Sequence, residues 1–350
     1  MKALSIKMAE SILSKKLHRF FKNLQQPGPE IGVTPRKAVW KKNKAVLWHY
    51  APAQRKYKVP VFLIYSLVNQ AFILDLGPKN SLIEALTNSG YDVYLLDFGI
   101  PGYEDKDLTM DDYIVHYIQK GVRRALFHSS ADGITVMGFC LGGTFAAIYA
   151  AIAEEPIRNL ILSVAPVDFS KVALFDQWAA ALRDGDTDPN AILDAWGLIP
   201  APAIKAGMRL VTSPLYFSPY LSLLSRADNE EYIHRWKRFN HWSNGHIPFA
   251  GAALKQILHD LGKENKFING RLGIAGKKAD PGNIKANLLA VASSHDRLVP
   301  KEQVLPIMDL VSSRDKQFHL LNGGHANLTS DGKVPGYLNE WLSVRSEKIE

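Results

Sequence analysis

The sequence contains very little cysteine: Cys140 is the one thiol in 350 residues. A single cysteine excludes an internal disulfide framework and fits a reducing compartment. No apolar run approaches the roughly 18 residues that a membrane-spanning helix needs. Charged residues interrupt the apolar positions near the N-terminus, so the pattern of a signal peptide is absent as well. We therefore expect a cytoplasmic protein with no transmembrane segment.

Patterns of bound metal and nucleotide are also missing. There is no cluster of Cys and His residues with metal-ligand spacing, and no Gly-rich loop opens a helix as a dinucleotide or P-loop site requires. No internal repeat or low-complexity tract is visible. The net charge is +8, which makes an acidic partner plausible: nucleic acid, an anionic surface, or a phosphate-bearing molecule such as a coenzyme A ester.

The most informative stretch is the run from Ile134 to Gly143, because an apolar strand pattern stops abruptly at Gly138-Phe-Cys-Leu-Gly142. A strand that ends in G-x-nucleophile-x-G and turns at once into a helix is a nucleophile elbow, here with sulfur in place of oxygen. The small apolar residues 144–153 predict the helix, whose first turn would favour a thiolate at Cys140. The alternative reading is that Cys140 is a small buried hydrophobe.

Alternation of strand and helix patterns predicts the fold. Residues 39–40 and 45–50 indicate a hairpin, and buried strands are predicted at 59–65, 91–97, 134–139, 160–165, 287–293 and 317–321. Helices are predicted at 80–90, from Thr109 to about His128, after the elbow, and at 301–312. Such alternation is typical of an α/β protein with a mostly parallel, doubly wound sheet.

Two segments depart from that alternation. Residues 170–285 are helix-like and rich in proline and aromatics, and we interpret them as a cap inserted between two parts of an α/β core, 31–169 and 286–350. Residues 1–30 contain a basic amphipathic helix, predicted over 3–24. That helix could bind a partner, lie on a hydrophobic surface or pack on its own domain, and packing on its own domain is the default.

A thiol nucleophile needs a base, and the base needs an orienting acid. In the α/β-hydrolase fold these follow the nucleophile in the order acid, then histidine, each at a strand end. Asp296 and His325 stand at those two places, so we predict the triad Cys140, Asp296 and His325. The backbone N–H groups of Leu141 and Val68 are the candidate oxyanion hole.

Several other histidines and aspartates could serve as the base or the acid. The competing histidines are His319 inside a strand, His295 beside the acid, and His241 and His246 in the cap. Two further aspartates also end strands, Asp97 and Asp168, and a turn-capping role is expected for Asp97.

A cysteine nucleophile in place of serine favours a particular reaction. Exchange of a thiolate with a thioester is nearly isoenergetic, so a cysteine enzyme can take an acyl group from coenzyme A, keep it activated, and pass it downhill to an alcohol. The residues therefore favour acyl transfer from a thioester. Cysteine hydrolases or thioesterases of the same fold are the main alternative, and a non-enzymic binding module is the third.

The chain also resembles a known family over most of its length. The motifs that carry the resemblance are Gly32-Val-Thr-Pro-Arg36, Phe72-Ile-Leu-Asp-Leu76, Asp92–Gly99, Gly138-Phe-Cys-Leu-Gly-Gly143, Ala165-Pro-Val-Asp-Phe169, His295-Asp-Arg-Leu-Val-Pro300 and Gly323-Gly-His325. They resemble the catalytic subunit of polyhydroxyalkanoate synthases of the short, two-subunit type.

The resemblance implies an acyltransferase that polymerises hydroxyacyl-CoA, typically 3-hydroxybutyryl-CoA, and releases coenzyme A, with no other cofactor and no metal. It implies that Cys140 is acylated, that His325 activates it, and that Asp296 supports His325 or helps deprotonate the incoming hydroxyl. Asp75 and Asn69 are possible site-shaping residues.

The resemblance also implies partners. These are the hydroxyacyl-CoA substrate, the polyester granule surface in the cytoplasm, and a small second synthase subunit, with nucleic acid excluded. The small helical (PhaR-like) partner of class IV is favoured over the PhaE-like partner of class III. A homodimer is possible. The non-enzymic alternative would be a granule-surface binding module built from the basic helix and the aromatic cap.

Overall fold

The structure is a computed structural model that describes residues 15–23, 28, 30–171, 189–212, 218–326 and 332–349. In these ranges the strands, in chain order, are β1 (Lys37–Lys42), β2 (Ala45–Tyr50), β3 (Val61–Ile64), β4 (Val93–Asp97), β5 (Ile134–Phe139), β6 (Ile157–Ser163), β7 (Leu198–Ile199), β8 (Phe249–Ala250), β9 (Leu272–Ile274), β10 (Lys277–Ala279), β11 (Asn287–Ser293) and β12 (Lys316–Leu321).

Eight of the described strands form one sheet in the order β1-β2-β4-β3-β5-β6-β11-β12. Within this sheet, β4, β3, β5, β6, β11 and β12 pair in parallel with their neighbours. The pairs β1–β2 and β2–β4 are antiparallel. The elbow strand β5 therefore lies in the middle of the sheet. The predicted α/β-hydrolase fold with a mostly parallel sheet is confirmed, and the predicted hairpin is the pair β1–β2.

Alternate residues of the central strands pack on opposite faces of the sheet. Phe62, Ile64 and Val136 belong to one hydrophobic core, while Leu63 and Met137 belong to the other. Because both faces are covered, the strands read as continuous apolar runs rather than as alternating patterns.

Helices cover these faces. Their bounds are 15–23, Leu82–Asn88, 110–129 (π-helical over Asp112–Gln119), Leu141–Ile152, Pro189–Trp196, Ala201–Thr212, Ser218–Ser225, Glu230–Asn244, Gly251–Gln256 continuing as π-helix Ile257–Lys263, Lys301–Val304, Ile307–Leu310 and Gly336–Ser343. Short 3-10 turns occur at Ala71–Leu74, Tyr103–Asp105, Phe169–Lys171 and Pro281–Asn283.

Local sequence explains where several helices begin. Ser81 caps Leu82–Asn88 by accepting a hydrogen bond from the N–H of Glu84 at 2.9 Å. Thr109 and Asp112 bond reciprocally at the start of the helix 110–129, as predicted for Thr109.

The helix predicted over residues 301–312 is wrong as a single element. The structure has two short helices, Lys301–Val304 and Ile307–Leu310, and Pro306 lies between them. Proline has no N–H to continue a helical hydrogen-bond ladder, which explains the break.

The N-terminal helix packs on its own chain where it is described. Arg19 pairs with Asp228, and Phe20 packs against a small cluster that includes Leu223 and Trp236. Residues 3–14 and residue 24 of the predicted helix lie outside the described residues. No described helix is both long and apolar enough to traverse a bilayer.

The segment predicted as a cap has two parts. Four helices, from Pro189–Trp196 to Glu230–Asn244, precede a stretch from Phe249 to Ile284. That stretch contributes Phe249, Leu261 and Ile284, among others, to the larger of the two sheet cores. The domain boundaries drawn from the sequence stay predictions, but residues beyond 248 pack as part of the α/β core.

Candidate active site

Cys140 occupies a strained position between β5 and the helix Leu141–Ile152. Its φ is +51° and its ψ is −131°, a combination rare for a residue with a side chain. Backbone hydrogen bonds fix it there: its N–H donates to the carbonyl of Ser163 at 3.0 Å, and its carbonyl accepts from the N–H of Gly143 at 2.8 Å. This is the geometry of a nucleophile elbow.

The glycines of the motif allow this turn because other backbone lies against them. A Cβ on Gly138 would come within 2.5 Å of the Gly143 Cα, and a Cβ on Gly142 within 2.4 Å of the Tyr65 carbonyl oxygen. Real Cβ atoms do not approach backbone atoms so closely. The G-x-C-x-G spacing is therefore a packing requirement of this turn.

The predicted acid and base lie together at the ends of β11 and β12. The Nδ1 atom of His325 is 2.7 Å from the Oδ2 atom of Asp296. The other carboxylate oxygen of Asp296 accepts hydrogen bonds from the N–H groups of Leu298 and Val299, each at 2.9 Å. The Asp296 side chain is fully buried, whereas 21% of the His325 side chain is exposed. Asp296 thus orients the imidazole ring.

The imidazole of His325 lies close enough to the thiol of Cys140 for the two groups to interact electrostatically. Because Nδ1 faces Asp296, Nε2 is the ring nitrogen left for the sulfur. Burial lowers the pKa of His325, but the negative charge of Cys140 and the bonds from Asp296 and Cys140 outweigh it and raise that pKa to about 10. A protonated His325 is therefore favoured when Cys140 carries a negative charge.

The competing histidines take structural positions. His319 stacks on Tyr337 with ring centroids 4.3 Å apart. His295 is exposed, and its ring bonds to the hydroxyl of the adjacent Ser294. Neither is shown in contact with Cys140, so His325 is the histidine that the fold brings to the sulfur.

The two other aspartates that the sequence placed at strand ends are used in turns: Asp97 does end β4, whereas Asp168 lies five residues beyond β6. Asp97 accepts a hydrogen bond from the N–H of Gly99 at 3.0 Å, as expected for a turn cap. Asp168 accepts from the backbone and hydroxyl of Ser170 and from the side chain of Asn265. Asp296 is the strand-end carboxylate that pairs with the histidine.

The two candidate oxyanion donors lie on either side of the elbow. Leu141 is the first residue of its helix, where N–H groups have no partner within the helix. The N–H of Val68 is 3.5 Å from the hydroxyl of Ser66, a long contact, and its carbonyl accepts from Ile247 at 3.4 Å. The oxyanion hole itself stays a prediction.

Asp75 has a role in holding the N-terminal segment. It is almost fully buried, and it accepts hydrogen bonds from the hydroxyl of Thr34 at 2.6 Å and from the Thr34 N–H at 3.1 Å. Its backbone carbonyl accepts from the N–H of Gly32. Asp75 thus fixes the position of residues 32–34, through both its carboxylate and its backbone carbonyl.

Asn69 belongs to a set of polar contacts that we call the cap lock, formed by Asn69, Gln70 and residues 242–247. The Asn69 amide donates to the Trp242 carbonyl at 2.9 Å, and the indole N–H of Trp242 donates to the Gln70 carbonyl at 3.0 Å. Asn69 also pairs with His246 through an isolated antiparallel bridge. The lock joins the loop after β3 to the end of the helix Glu230–Asn244.

The two cap histidines lie at this junction. His241 stacks on Phe72, with ring centroids 5.6 Å apart. Burial lowers the pKa of His246, and the charges of Lys205 and Arg209 lower it further. The neutral form of His246 is therefore favoured within the cap lock.

A cavity of about 300 Å³ lies at the carboxyl ends of β3 and β4. Its lining includes Tyr65, Asn69, Asp75 and Ile247. A larger, open groove of about 680 Å³ runs between residues 106–111 and 251–260, with neither Cys140 nor His325 in its lining. Neither Cys140 nor His325 lines the smaller cavity, but its lining includes Tyr65, whose carbonyl lies against Gly142 of the elbow.

Tyr65 is a site residue that the sequence reasoning missed. It follows β3 directly, and its ring centroid is 6.3 Å from that of Phe139 and 6.4 Å from that of Trp242. Burial and the negative charge of Cys140 raise the pKa of its phenol well above the usual range. The available signal was a tyrosine at the end of an aliphatic strand that precedes the elbow strand.

Comparison with known proteins identifies the class. A family model described as "alpha/beta hydrolase fold" matches residues 60–330, and one described as "Poly-beta-hydroxybutyrate polymerase (PhaC) N-terminus" matches residues 12–86. A solved hydrolase from Pseudomonas aeruginosa aligns with 84% of this chain and 93% of its own at 16% identity and a TM-score of 0.48. The family match and the sheet define an α/β-hydrolase-fold protein.

Curated relatives narrow this to one family. A protein from Haloferax mediterranei named "Poly(3-hydroxyalkanoate) polymerase subunit PhaC" is 33% identical, over 91% of this chain and 65% of its own. A protein of the same name from Allochromatium vinosum is 30% identical, over 95% of each chain. The chain thus spans just under two thirds of the haloarchaeal relative and nearly all of the other. It belongs to the PhaC family of poly(3-hydroxyalkanoate) polymerases and is an enzyme.

Proposed function

We propose that the protein polymerises (R)-3-hydroxyacyl-CoA, with 3-hydroxybutyryl-CoA as the typical substrate, through an acyl-cysteine at Cys140. The observation that carries the proposal is the strained elbow position of Cys140, together with a histidine, His325, that interacts with its charge and bonds to the buried carboxylate of Asp296. Membership of the PhaC family supports the polymer product.

In the proposed first half-reaction, His325 takes the proton of the Cys140 thiol and the thiolate attacks the thioester carbonyl carbon. The carbon–sulfur bond to coenzyme A breaks, and coenzyme A leaves as a thiol after receiving the proton from the imidazolium. The acyl group is then held on Cys140 as a thioester, so its activation is conserved.

In the second half-reaction, the hydroxyl of another hydroxyacyl group attacks the acyl-cysteine carbonyl. The hydroxyl proton passes to His325, an ester bond forms, and the Cys140 sulfur is released to start again. Both oxygens of Asp296 are engaged, one by His325 and one by two backbone N–H groups. This favours an orienting role for Asp296 over direct deprotonation of the hydroxyl.

We further propose that the protein works on the surface of cytoplasmic polymer granules with a small second subunit. The basic residues of the N-terminal segment and the net charge of +8 agree with an acidic partner or surface. A homodimer stays a prediction.

The test is incubation with 3-hydroxybutyryl-CoA, with and without a candidate second subunit, following released coenzyme A and insoluble polymer. The wild type should give both products, and Cys140→Ala should give neither. Release of coenzyme A by Cys140→Ala at the wild-type rate would reject the acyl-cysteine. Free hydroxyacid without polymer would instead identify a thioesterase, and granule binding without any turnover would identify a binding module.

A further inference from the structure

The eight-stranded sheet ends in β1 on one side and in β12 on the other, and the two edges differ in sequence. β1 reads Lys37-Ala-Val-Trp-Lys-Lys42, with lysines at both ends. If two copies of β1 paired antiparallel about the middle of the strand, Lys37 would lie opposite Lys41 or Lys42 of the second copy. Lysines placed in this way prevent sheet edges from pairing with one another. β1 is therefore a protected edge.

β12 has backbone groups that no neighbouring strand uses. It pairs in parallel with β11 along one side, where the carbonyls of Asp315 and Leu321 accept hydrogen bonds from N–H groups of β11 and of the residue after it. Because the direction of these groups alternates along a strand, the N–H and C=O groups of the even-numbered residues point away from the sheet. Across the described ranges, no backbone hydrogen bond reaches these outward groups, which belong to Lys316, Phe318 and Leu320.

β12 is also accessible to solvent. None of its six residues is buried, whereas all but the first residue of β11 are buried. Leu320 is 44% exposed, although it is a large apolar side chain. An open sheet edge that carries an exposed apolar side chain is a template on which another strand can pair.

The sequence of β12 suits pairing with a second copy of itself. In an antiparallel pair centred on Phe318, the outward-facing residues meet one another: Lys316 lies opposite Leu320, and Phe318 lies opposite Phe318. This register sets no lysine opposite another lysine, and it brings two aromatic side chains together. A contact that uses the same surface on both copies closes after two copies, so it gives a dimer rather than a filament. We propose that β12 is a dimer interface, at which a second copy of this chain pairs antiparallel with it.

The open edge is close in the chain to the predicted base. β12 ends at Leu321, and His325 follows four residues later. A strand that is paired on both sides opens less readily than one paired on a single side, so a second copy would steady the start of the loop that carries His325. Pairing at β12 needs no substrate, so it can be present or absent whether or not the protein polymerises hydroxyacyl-CoA.

The test is sedimentation velocity of the full-length protein over a series of concentrations, for the wild type, Leu320→Lys and Leu320→Glu. In the proposed register, Leu320→Lys sets a lysine opposite Lys316 at two places in the dimer, whereas Leu320→Glu sets a carboxylate there. The dissociation constant of the dimer should rise by about tenfold in Leu320→Lys and should not rise in Leu320→Glu. Phe127→Lys and Phe127→Glu are the matched controls, because Phe127 is 78% exposed on the helix 110–129, and neither should change the constant.

Three results would overturn the proposal. The first is a wild type that stays monomeric at every concentration. The second is equal weakening by the two Leu320 variants, since an apolar contact rather than a paired strand would then be responsible. The third is a dimer that neither Leu320 variant changes, because its contact would then lie elsewhere on the surface.

Discussion

The nucleophile elbow and the cap lock are attached to the same sheet edge in different ways. The elbow is held by backbone hydrogen bonds to Cys140 and by glycines whose neighbours leave no room for a side chain. The cap lock is held by a few polar contacts, chiefly from Asn69 and to Gln70. The elbow can be lost only with the fold, whereas the lock can open while the fold remains.

This difference suits the proposed acyl-cysteine reaction and its polymer product. In that reaction the sulfur and the imidazole must keep a fixed separation, because small displacements of reacting groups reduce rates steeply. The region above them would have to let coenzyme A and the polymer chain pass. We therefore expect substitutions at the elbow and its base to affect chemistry or folding, and substitutions in the lock to affect opening.

The largest effect should come from His325→Gln, which removes the proposed base beside the nucleophile elbow. Acylation of Cys140 should fall by about two to four orders of magnitude, the usual contribution of a general base. The pKa of His325 is raised to about 10, so its positive charge is present at neutral pH and favours the thiolate. Without it, the acid limb of the alkylation profile should move to higher pH.

The measurements for this variant are single-turnover release of coenzyme A and iodoacetamide alkylation against pH. His295→Gln is the control, because His295 is exposed and lies next to Asp296 in the chain. An unchanged acid limb in His325→Gln would contradict the thiolate–imidazolium pair.

Much of the nucleophile elbow and of its acid and base could be predicted from the sequence. Gly138 and Gly142 flank the cysteine at a spacing that only a tight turn requires. Asp296 follows a clear apolar run, and His325 follows the shorter run Phe318–Leu321 in a Gly-flanked loop. These are local signals, and parallel topology brings their strand ends to one edge.

The cap lock could not be predicted in the same way. Asn69 meets Trp242 across more than 170 residues, and no periodicity relates the two segments. Tyr65 was missed for a similar reason, since its importance depends on which strand neighbours β5. The break in the helix predicted over residues 301–312 could have been predicted, because Pro306 has no N–H to continue the helical hydrogen bonds.

Gly142→Ala tests how tightly the elbow is packed. The new Cβ would meet the Tyr65 carbonyl at 2.4 Å, and backbone cannot move aside as a flexible side chain can. We expect a loss of about 3 kcal/mol in the free energy of unfolding, measured by urea denaturation. Gly273→Ala is the control, because nothing lies within 4 Å of its Cβ position, and it should change stability by less than about 0.5 kcal/mol. Equal stability of the two variants would show that the elbow is looser than the contact implies.

Asn69→Ala tests the lock directly. It removes the bond to the Trp242 carbonyl at 2.9 Å and the bond from the Gln70 N–H at 2.7 Å. Local opening of residues 242–247 should become easier by about 1–2 kcal/mol, seen as faster amide hydrogen exchange there and unchanged exchange in β5. Asn269→Ala, which removes only local bonds to Glu264 and Asn265, is the control. Exchange that rises equally in the lock and in β5 would mean that the two regions open as one unit.

The smallest effect should come from Lys255→Ala, which breaks an ion pair outside the lock. Lys255 and Asp194 join the helices Gly251–Gln256 and Pro189–Trp196 at 2.9 Å, with 41% and 63% of their side chains exposed. Solvent screens such a pair, so the coupling energy from a double-mutant cycle with Asp194→Ala should be below about 0.5 kcal/mol. A coupling above about 1 kcal/mol would mean that a charge pair also fastens the helix Pro189–Trp196 to the helix Gly251–Gln256 and, through it, to the core. The contrast between a rigid elbow and a lightly held cap would then have to be redrawn, with the lock as one of several attachments rather than the principal one.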